Sequence, residues 1–295
     1  MRIVSLLPSA TEIAYALDLG DQLVGVTHEC NWPPDARKKT RVSRSLLPTG
    51  AAAAEIDRLV TAAANGGAPT EALDEAVLGE LGPDVILTQD LCAVCAVPAG
   101  DVDAALDAIG CTAQVVSLDP NSIEDILDGI MTVGRATGAE SRAATVVADL
   151  RRRLDTVRSN VAHQPRRRVL ALEWGDPPFN AGHWIPDMID AAGGLAVLAN
   201  AGRDSVRMSW TQVRDANADV VVFAPCGYGL DDAVSEGHSL MTRPELSGRE
   251  VWAVDADSYF VRPGPRIVDG VEILAQMLHP EIGTGSLDGT AHRLQ

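Results

Sequence analysis

Short apolar runs alternate along the chain with stretches in which apolar residues recur every three or four positions. Compact apolar runs bounded by turn residues predict buried strands, and the longer period predicts helices with one face on a core. Ile3 to Leu6 predicts a strand, Ser9-Ala10-Thr11-Glu12 supplies a capping signal for a helix, and Gly20 stops that helix before a second strand from Leu23 to Val26. This is a βαβ unit. A helical period at Ile56, Leu59, Val60 and Ala63 comes next, then Gly66-Gly67 and a predicted helix from Glu71 to Leu81. A strand from Val85 to Thr88, a helix from Val102 to Ile109 and a strand from Gln114 to Val116 complete the first half.

From Ser122 to about Ala162, residues Ile126, Ile130, Val133, Val146, Leu150, Leu154 and Val157 keep helical spacing, broken only around Gly138. One long helix or a bent helical pair is predicted, ended by Gln164-Pro165. Further strands are predicted at Val169 to Glu173, Val220 to Ala224 and Val251 to Val254, and a last helix from about Pro265 to Leu278. The expected organisation is therefore α/β, with two Rossmann-like lobes, 1–120 and 166–280, joined by a long helix within 121–165. A Gly-rich tail, 281–295, is expected to fray.

A chain of 295 residues with 46% apolar composition can bury a sizeable core in two lobes. A net charge of −17 argues against a phosphate-binding surface, so nucleic acid is not an expected partner. No apolar run reaches the roughly 18 residues that a spanning helix needs, so no membrane insertion is expected. Met1 stands directly before the first strand, which predicts a cytoplasmic protein; a periplasmic or extracellular location would follow only if a signal peptide had been trimmed. In a reducing compartment the five cysteines read as thiols or ligands before disulfides.

Two clusters of soft ligands follow predicted strands: His28, Glu29 and Cys30 after Val26, and Cys92 and Cys95 after Thr88. His28, Cys30, Cys92 and Cys95 would complete a four-ligand set of zinc-like character, while a three-cysteine set could hold an iron–sulfur cluster. Glu29 reads as a solvated carboxylate. The aromatic residues carry a second signal. There are only three Phe, three Tyr and five Trp, yet Trp32, Trp174, Phe179, Trp184, Tyr228, Tyr259 and Phe260 all fall on predicted loops or strand ends. Such placement suits the lining of a cleft for a large flat ligand. His183, between aromatics, could ligate a corrin cobalt or haem iron axially; Glu173 could be a base, a metal ligand or a partner of Arg262; and Arg262 could meet an anionic or amide group. No nucleophile elbow, Walker loop or dinucleotide fingerprint occurs.

Several strings carry a family resemblance: Ser5-Leu6-Leu7-Pro8-Ser9-Ala10-Thr11-Glu12, Val24-Gly25-Val26-Thr27, Leu81-Gly82-Pro83-Asp84-Val85-Ile86, Asp176-Pro177-Pro178-Phe179, Gly193-Gly194 and Arg262-Pro263-Gly264-Pro265-Arg266. With the two-lobe plan, they make the chain resemble the helix-linked, class III solute-binding proteins of ABC importers, in particular the cobalamin-binding branch that lacks a signal peptide. The resemblance implies a small-molecule ligand, cobalamin or another metal-tetrapyrrole, held in an interlobe cleft. The alternative expectation is a metal-dependent enzyme, or a metallochaperone, using the His/Cys site. The start of the chain at a strand argues against an ABC permease as partner.

Overall fold

The computed structural model describes residues 1–48, 53–64, 70–89, 102, 105–107, 109–282 and 285–295. Its first half runs β1 (Ile3–Ser5), α1 (Pro8–Ala16), β2 (Leu23–Val26), β3 (Thr40–Arg41), β4 (Ser43–Ser45), α2 (Ala53–Ala64), β5 (Glu71–Leu73), α3 (Glu75–Leu81), β6 (Val85–Thr88) and β7 (Gln114–Ser117). Five of these strands form one parallel sheet in the order β3-β2-β1-β6-β7. Every residue of β1 and β6 is buried, as expected for central strands of a parallel sheet covered on both faces. Val4, Leu6, Val42, Leu78, Ile86 and Leu106 pack together on one face.

Two local expectations are corrected. Helix α1 starts at Pro8 with Leu7 as N-cap and no side-chain cap, so Ser9 lies inside the helix. Proline at the first helical position lacks the N–H that a cap would satisfy and already has the helical φ, which removes the need for Ser9 as a cap. The helix expected from Glu71 instead begins at Glu75, because the Asp74 carboxylate accepts from Val77 N at 3.0 Å and sets the N-terminus there. That frees Glu71–Leu73 to pair antiparallel with β4, Ser45 opposite Glu71 and Ser43 opposite Leu73.

The predicted central helical stretch is a pair, α4 (Ile123–Thr137) and α5 (Glu140–Val161), separated at Gly138, whose φ of +71° is the left-handed conformation that closes helices. The chain divides into two compact units, Met1–Asp119 with Leu127–Ala148, and Pro120–Ile126 with Asp149–Gln295. Both α4 and α5 contribute residues to each unit.

The second unit continues with β8 (Arg167–Trp174), β9 (Phe179–Asn180), β10 (Gly182–His183), α6 (Ile185–Ala191), β11 (Gly194–Ala196), β12 (Asn200–Ala201), α7 (Trp210–Asp215), β13 (Val220–Phe223), α8 (Leu230–Leu240), β14 (Glu250–Val254), α9 (Ala256–Tyr259), α10 (Ile267–Leu278) and β15 (Ala291–Arg293). Its sheet has the order β11-β8-β13-β14-β15, with β9 folded back on β8. Strands β11, β8, β13 and β14 are parallel over a core of Leu170, Leu172, Val221, Phe223 and Val251. Part of the tail expected to fray is instead the antiparallel edge strand β15, which pairs with β14, and Leu294 packs against the core. The apolar Ala291 and Leu294, too few to register as a hydrophobic period, are what that edge buries. Among the described residues no helix is long and apolar enough to cross a membrane.

Candidate functional site

Three adjacent parallel strands of the second unit, β8, β13 and β14, end on the same edge, where open α/β sheets place ligands. Trp174 is the last residue of β8, Tyr228 follows β13, and Tyr259 follows β14. The Trp174 and Tyr228 rings meet edge to face, with centroids 5.7 Å apart and planes at 79°. Asp257 N donates to Tyr228 O at 3.0 Å, tying the second loop to the third. The Arg266 guanidinium lies over the Tyr259 ring at 5.5 Å, a cation–π contact where an ion pair was expected. Together the three rings form an aromatic rim held by loop-to-loop contacts.

Beside the rim, β9 and β10 form an arm. Phe179 sits under the Arg207 guanidinium at 5.7 Å. His183 is in the left-handed region at φ 48°, and its Nδ1 is buried without a hydrogen-bond partner, as is Trp174 Nε1. His183 Nε2 faces Asp204 Oδ1 at 4.0 Å. Burial holds the His183 imidazole below its ordinary pKa, with Asp204 opposing, so the ring is neutral at neutral pH. A neutral imidazole is the form that binds metals.

Glu173 anchors this arm from beneath. Its Oε1 accepts from Gly182 N at 2.9 Å and its Oε2 accepts from Ser205 Oγ in a shorter bond. Gly182 is required because a Cβ there would stand 2.5 Å from both Arg203 O and Ser205 N. Without a side chain at 182, the 203–205 segment approaches closely enough for Ser205 to reach the carboxyl. Burial pushes the Glu173 pKa up, and the two hydrogen bonds oppose that shift. Ser205, absent from the sequence expectations, has no signal of its own in the chain; Gly182 was the available hint of a close backbone approach.

Other expected contacts lie elsewhere. Phe260 is 1% exposed and Trp184 5% exposed, and the Trp184 indole donates to Phe260 O at 2.7 Å. Both are core residues. Loop position alone did not distinguish them from the rim, because a loop that packs inward also buries its aromatics. Arg262 is 8% exposed and pairs with Asp257 at 2.7 Å, so Asp257, not Glu173, is its partner within the protein.

In the first unit, Trp32 is 45% exposed beyond β2. Cys30 is fully buried, and its sulfur takes hydrogen bonds with Thr11 Oγ1 at 3.0 Å and Thr27 Oγ1 at 3.3 Å. His28 Nδ1 bonds Ser43 Oγ at 2.9 Å, and burial, reinforced by the Arg41 cation, lowers the His28 pKa. Among the described residues, the group whose donor atoms converge is His28, Glu29 and Glu71; it does not include Cys30, and Cys92 and Cys95 lie outside the described residues. Glu71 was hidden from sequence reading by its assignment to a helix. The signal that could have found it was Asp74, whose capping role moves the helix start and leaves Glu71 on a strand.

A parallel two-unit α/β plan with an aromatic rim at strand ends is that of a solute-binding protein. The chain belongs to the periplasmic binding protein family, whose sequence pattern it matches over residues 3–248. It is 28% identical over 282 residues to the vitamin B12-binding protein of Vibrio cholerae serotype O1, covering 92% of this chain and 86% of that one. It is also 25% identical to an uncharacterised ABC transporter substrate-binding lipoprotein of Bacillus subtilis, covering 95% and 80%. Among solved structures it is similar in fold to the periplasmic vitamin B12 binding protein of Vibrio cholerae, with a TM-score of 0.69, 24% identity, and 94% and 96% coverage. The same holds for a periplasmic haem binding protein from Pseudomonas aeruginosa, with a TM-score of 0.72, 20% identity, and 98% and 96% coverage.

Proposed function

We propose that this protein binds a cobalamin-like or haem-like tetrapyrrole, with the aromatic rim of the second unit against the macrocycle. The observation that carries the reading is the rim itself: Trp174, Tyr228 and Tyr259 at the ends of three adjacent strands, beside two buried nitrogens, Trp174 Nε1 and His183 Nδ1, that have no partner within the protein. Unsatisfied buried polar atoms call for an explanation, and a ligand with amide or carboxylate acceptors supplies one for the indole N–H. The ligands named for the Vibrio and Pseudomonas relatives, vitamin B12 and haem, belong to one chemical class, large planar metal macrocycles with amide or carboxylate arms. An ABC permease is the partner this reading implies, the reverse of the expectation drawn from the start of the chain.

Calorimetric titration with cyanocobalamin, aquocobalamin and haemin tests the reading, with tryptophan fluorescence followed in parallel. At least one should bind with one-to-one stoichiometry and quench the emission; a folded sample that binds none of the three overturns it. His183 Nε2, the nitrogen facing exposed Asp204, is the candidate axial ligand. His183→Ala should therefore weaken the aquo-corrin, whose axial water is exchangeable, more than the cyano-corrin. Equal weakening would remove the axial role and leave the rim.

A further inference from the structure

The turn after β2 and the β4–β5 hairpin bring together three metal-ligand side chains in the first unit. His28 and Glu29 lie on the turn, Glu71 lies on β5, and one donor atom from each falls within 4.8 Å of the others. We propose that His28, Glu29 and Glu71 form a binding site for a divalent first-row transition ion of the zinc type.

The backbone builds this convergence. Strand β3 lies parallel to β2, with Val26 opposite Arg41, and Val42 N donates to Val26 O at 3.0 Å. The chain therefore enters β4 alongside the turn that carries His28. Strand β5 then pairs antiparallel with β4 and sets Glu71 opposite Ser45. Ser43, two residues earlier on β4, holds the imidazole: its Oγ bonds His28 Nδ1 at 2.9 Å and accepts from His28 N at 3.4 Å. With Nδ1 engaged, Nε2 is left to bind an ion, and an outer hydrogen bond of this kind fixes ring orientation in metal-bound histidines.

The donor set selects the class of ion. An imidazole suits zinc and its neighbours and is a poor ligand for magnesium or calcium, while two carboxylates neutralise a divalent charge. Without a cation the two carboxylates repel at this separation. Three protein ligands also leave a coordination position for water or for a donor atom of a solute. This set shares His28 with the cysteine-based set suggested by sequence and replaces the thiolates with carboxylates.

The test uses the full chain, stripped with chelator and titrated calorimetrically with Zn²⁺; Co²⁺ serves as the spectroscopic probe. One Zn²⁺ per chain is expected, with a cobalt spectrum free of any thiolate charge-transfer band. Ser43→Ala should weaken Zn²⁺ binding by about 10–100-fold, the usual cost of losing an outer-shell partner, and Glu71→Gln by at least as much. Glu29→Gln, on an exposed turn and so a safe variant for folding, should also weaken binding about tenfold or more. Cys92→Ser and Cys95→Ser should leave the affinity unchanged. Failure of folded wild type to bind Zn²⁺, affinity that survives both glutamate variants, or a thiolate-to-cobalt band would each overturn the proposal. No tetrapyrrole enters these measurements, so their outcome is independent of the proposed function.

Discussion

Replacing Trp184 separates a core role from a ligand-contacting one. Its indole is 5% exposed and donates to Phe260 O at 2.7 Å, which ties the start of α6 to the loop after α9. Trp184→Phe keeps most of the buried apolar surface but orphans the Phe260 carbonyl. An unsatisfied buried acceptor costs about 1–3 kcal/mol. For a unit of this size each kcal/mol lowers Tm by about 2–4 °C, so a fall of about 2–12 °C is expected. Trp184→Ala adds a cavity worth about 3–5 kcal/mol, which alone lowers Tm by about 6–20 °C. Thermal melts and urea titrations of the two variants, compared with wild type, measure both steps. Tetrapyrrole affinity of the Trp184→Phe protein, measured where it is fully folded, should stay within about 0.5 kcal/mol, or roughly twofold, of wild type. A variant that melts with wild type yet loses tenfold in affinity would place Trp184 on the ligand and refute the core assignment.

Trp174→Ala should instead weaken tetrapyrrole binding by about 1–3 kcal/mol, roughly 5- to 150-fold, as expected for one large aromatic contact; an unchanged Kd by calorimetry would remove it from the site. Trp32→Ala, at an exposed position of the first unit, asks whether that unit takes part: quenching that persists at wild-type affinity would confine the ligand to the second unit. Gly182→Ala should destabilise the fold by about 1–3 kcal/mol, because its Cβ meets backbone atoms at 2.5 Å, and denaturant unfolding with an unshifted midpoint would contradict that clash. Glu173 gives a pH signature. Burial raises its pKa in the folded state, so the unfolded chain releases the proton first and stability falls as pH rises from the ordinary carboxylate range toward the folded value. Glu173→Gln removes that contribution, and its Tm should fall less with rising pH across this window than that of wild type; parallel slopes would show that Glu173 is ionised in both states.

The alternation of apolar runs was enough to locate β1, β2, β6, β8, β13 and β14, because buried parallel strands need apolar residues on both faces and leave a continuous hydrophobic signature. Strands whose stability comes from pairing leave none. Glu71–Leu73 carries two polar-neighbour positions and one leucine, and it becomes a strand because Asp74 caps the following helix and β4 offers an edge. Ala291–Arg293 does so because β14 is otherwise an edge. Both depend on a partner distant in sequence, which no local period records.

The same distinction governs the candidate site. Strand ends could be located from the chain, so Trp174, Tyr228 and Tyr259 were identified as neighbours of one edge. What each aromatic does there depends on where its polar atom finds a partner. Trp184 and Trp174 both carry an indole N–H and both adjoin the arm, but the first reaches Phe260 O while the second has no acceptor within the protein. A tryptophan whose N–H is satisfied internally is held in place by the fold. One whose N–H is left over costs stability unless something else supplies the acceptor, and that imbalance marks Trp174 as the residue through which this edge meets a ligand. Residue identity cannot distinguish the two cases, since the difference lies in a carbonyl 76 positions further along the chain.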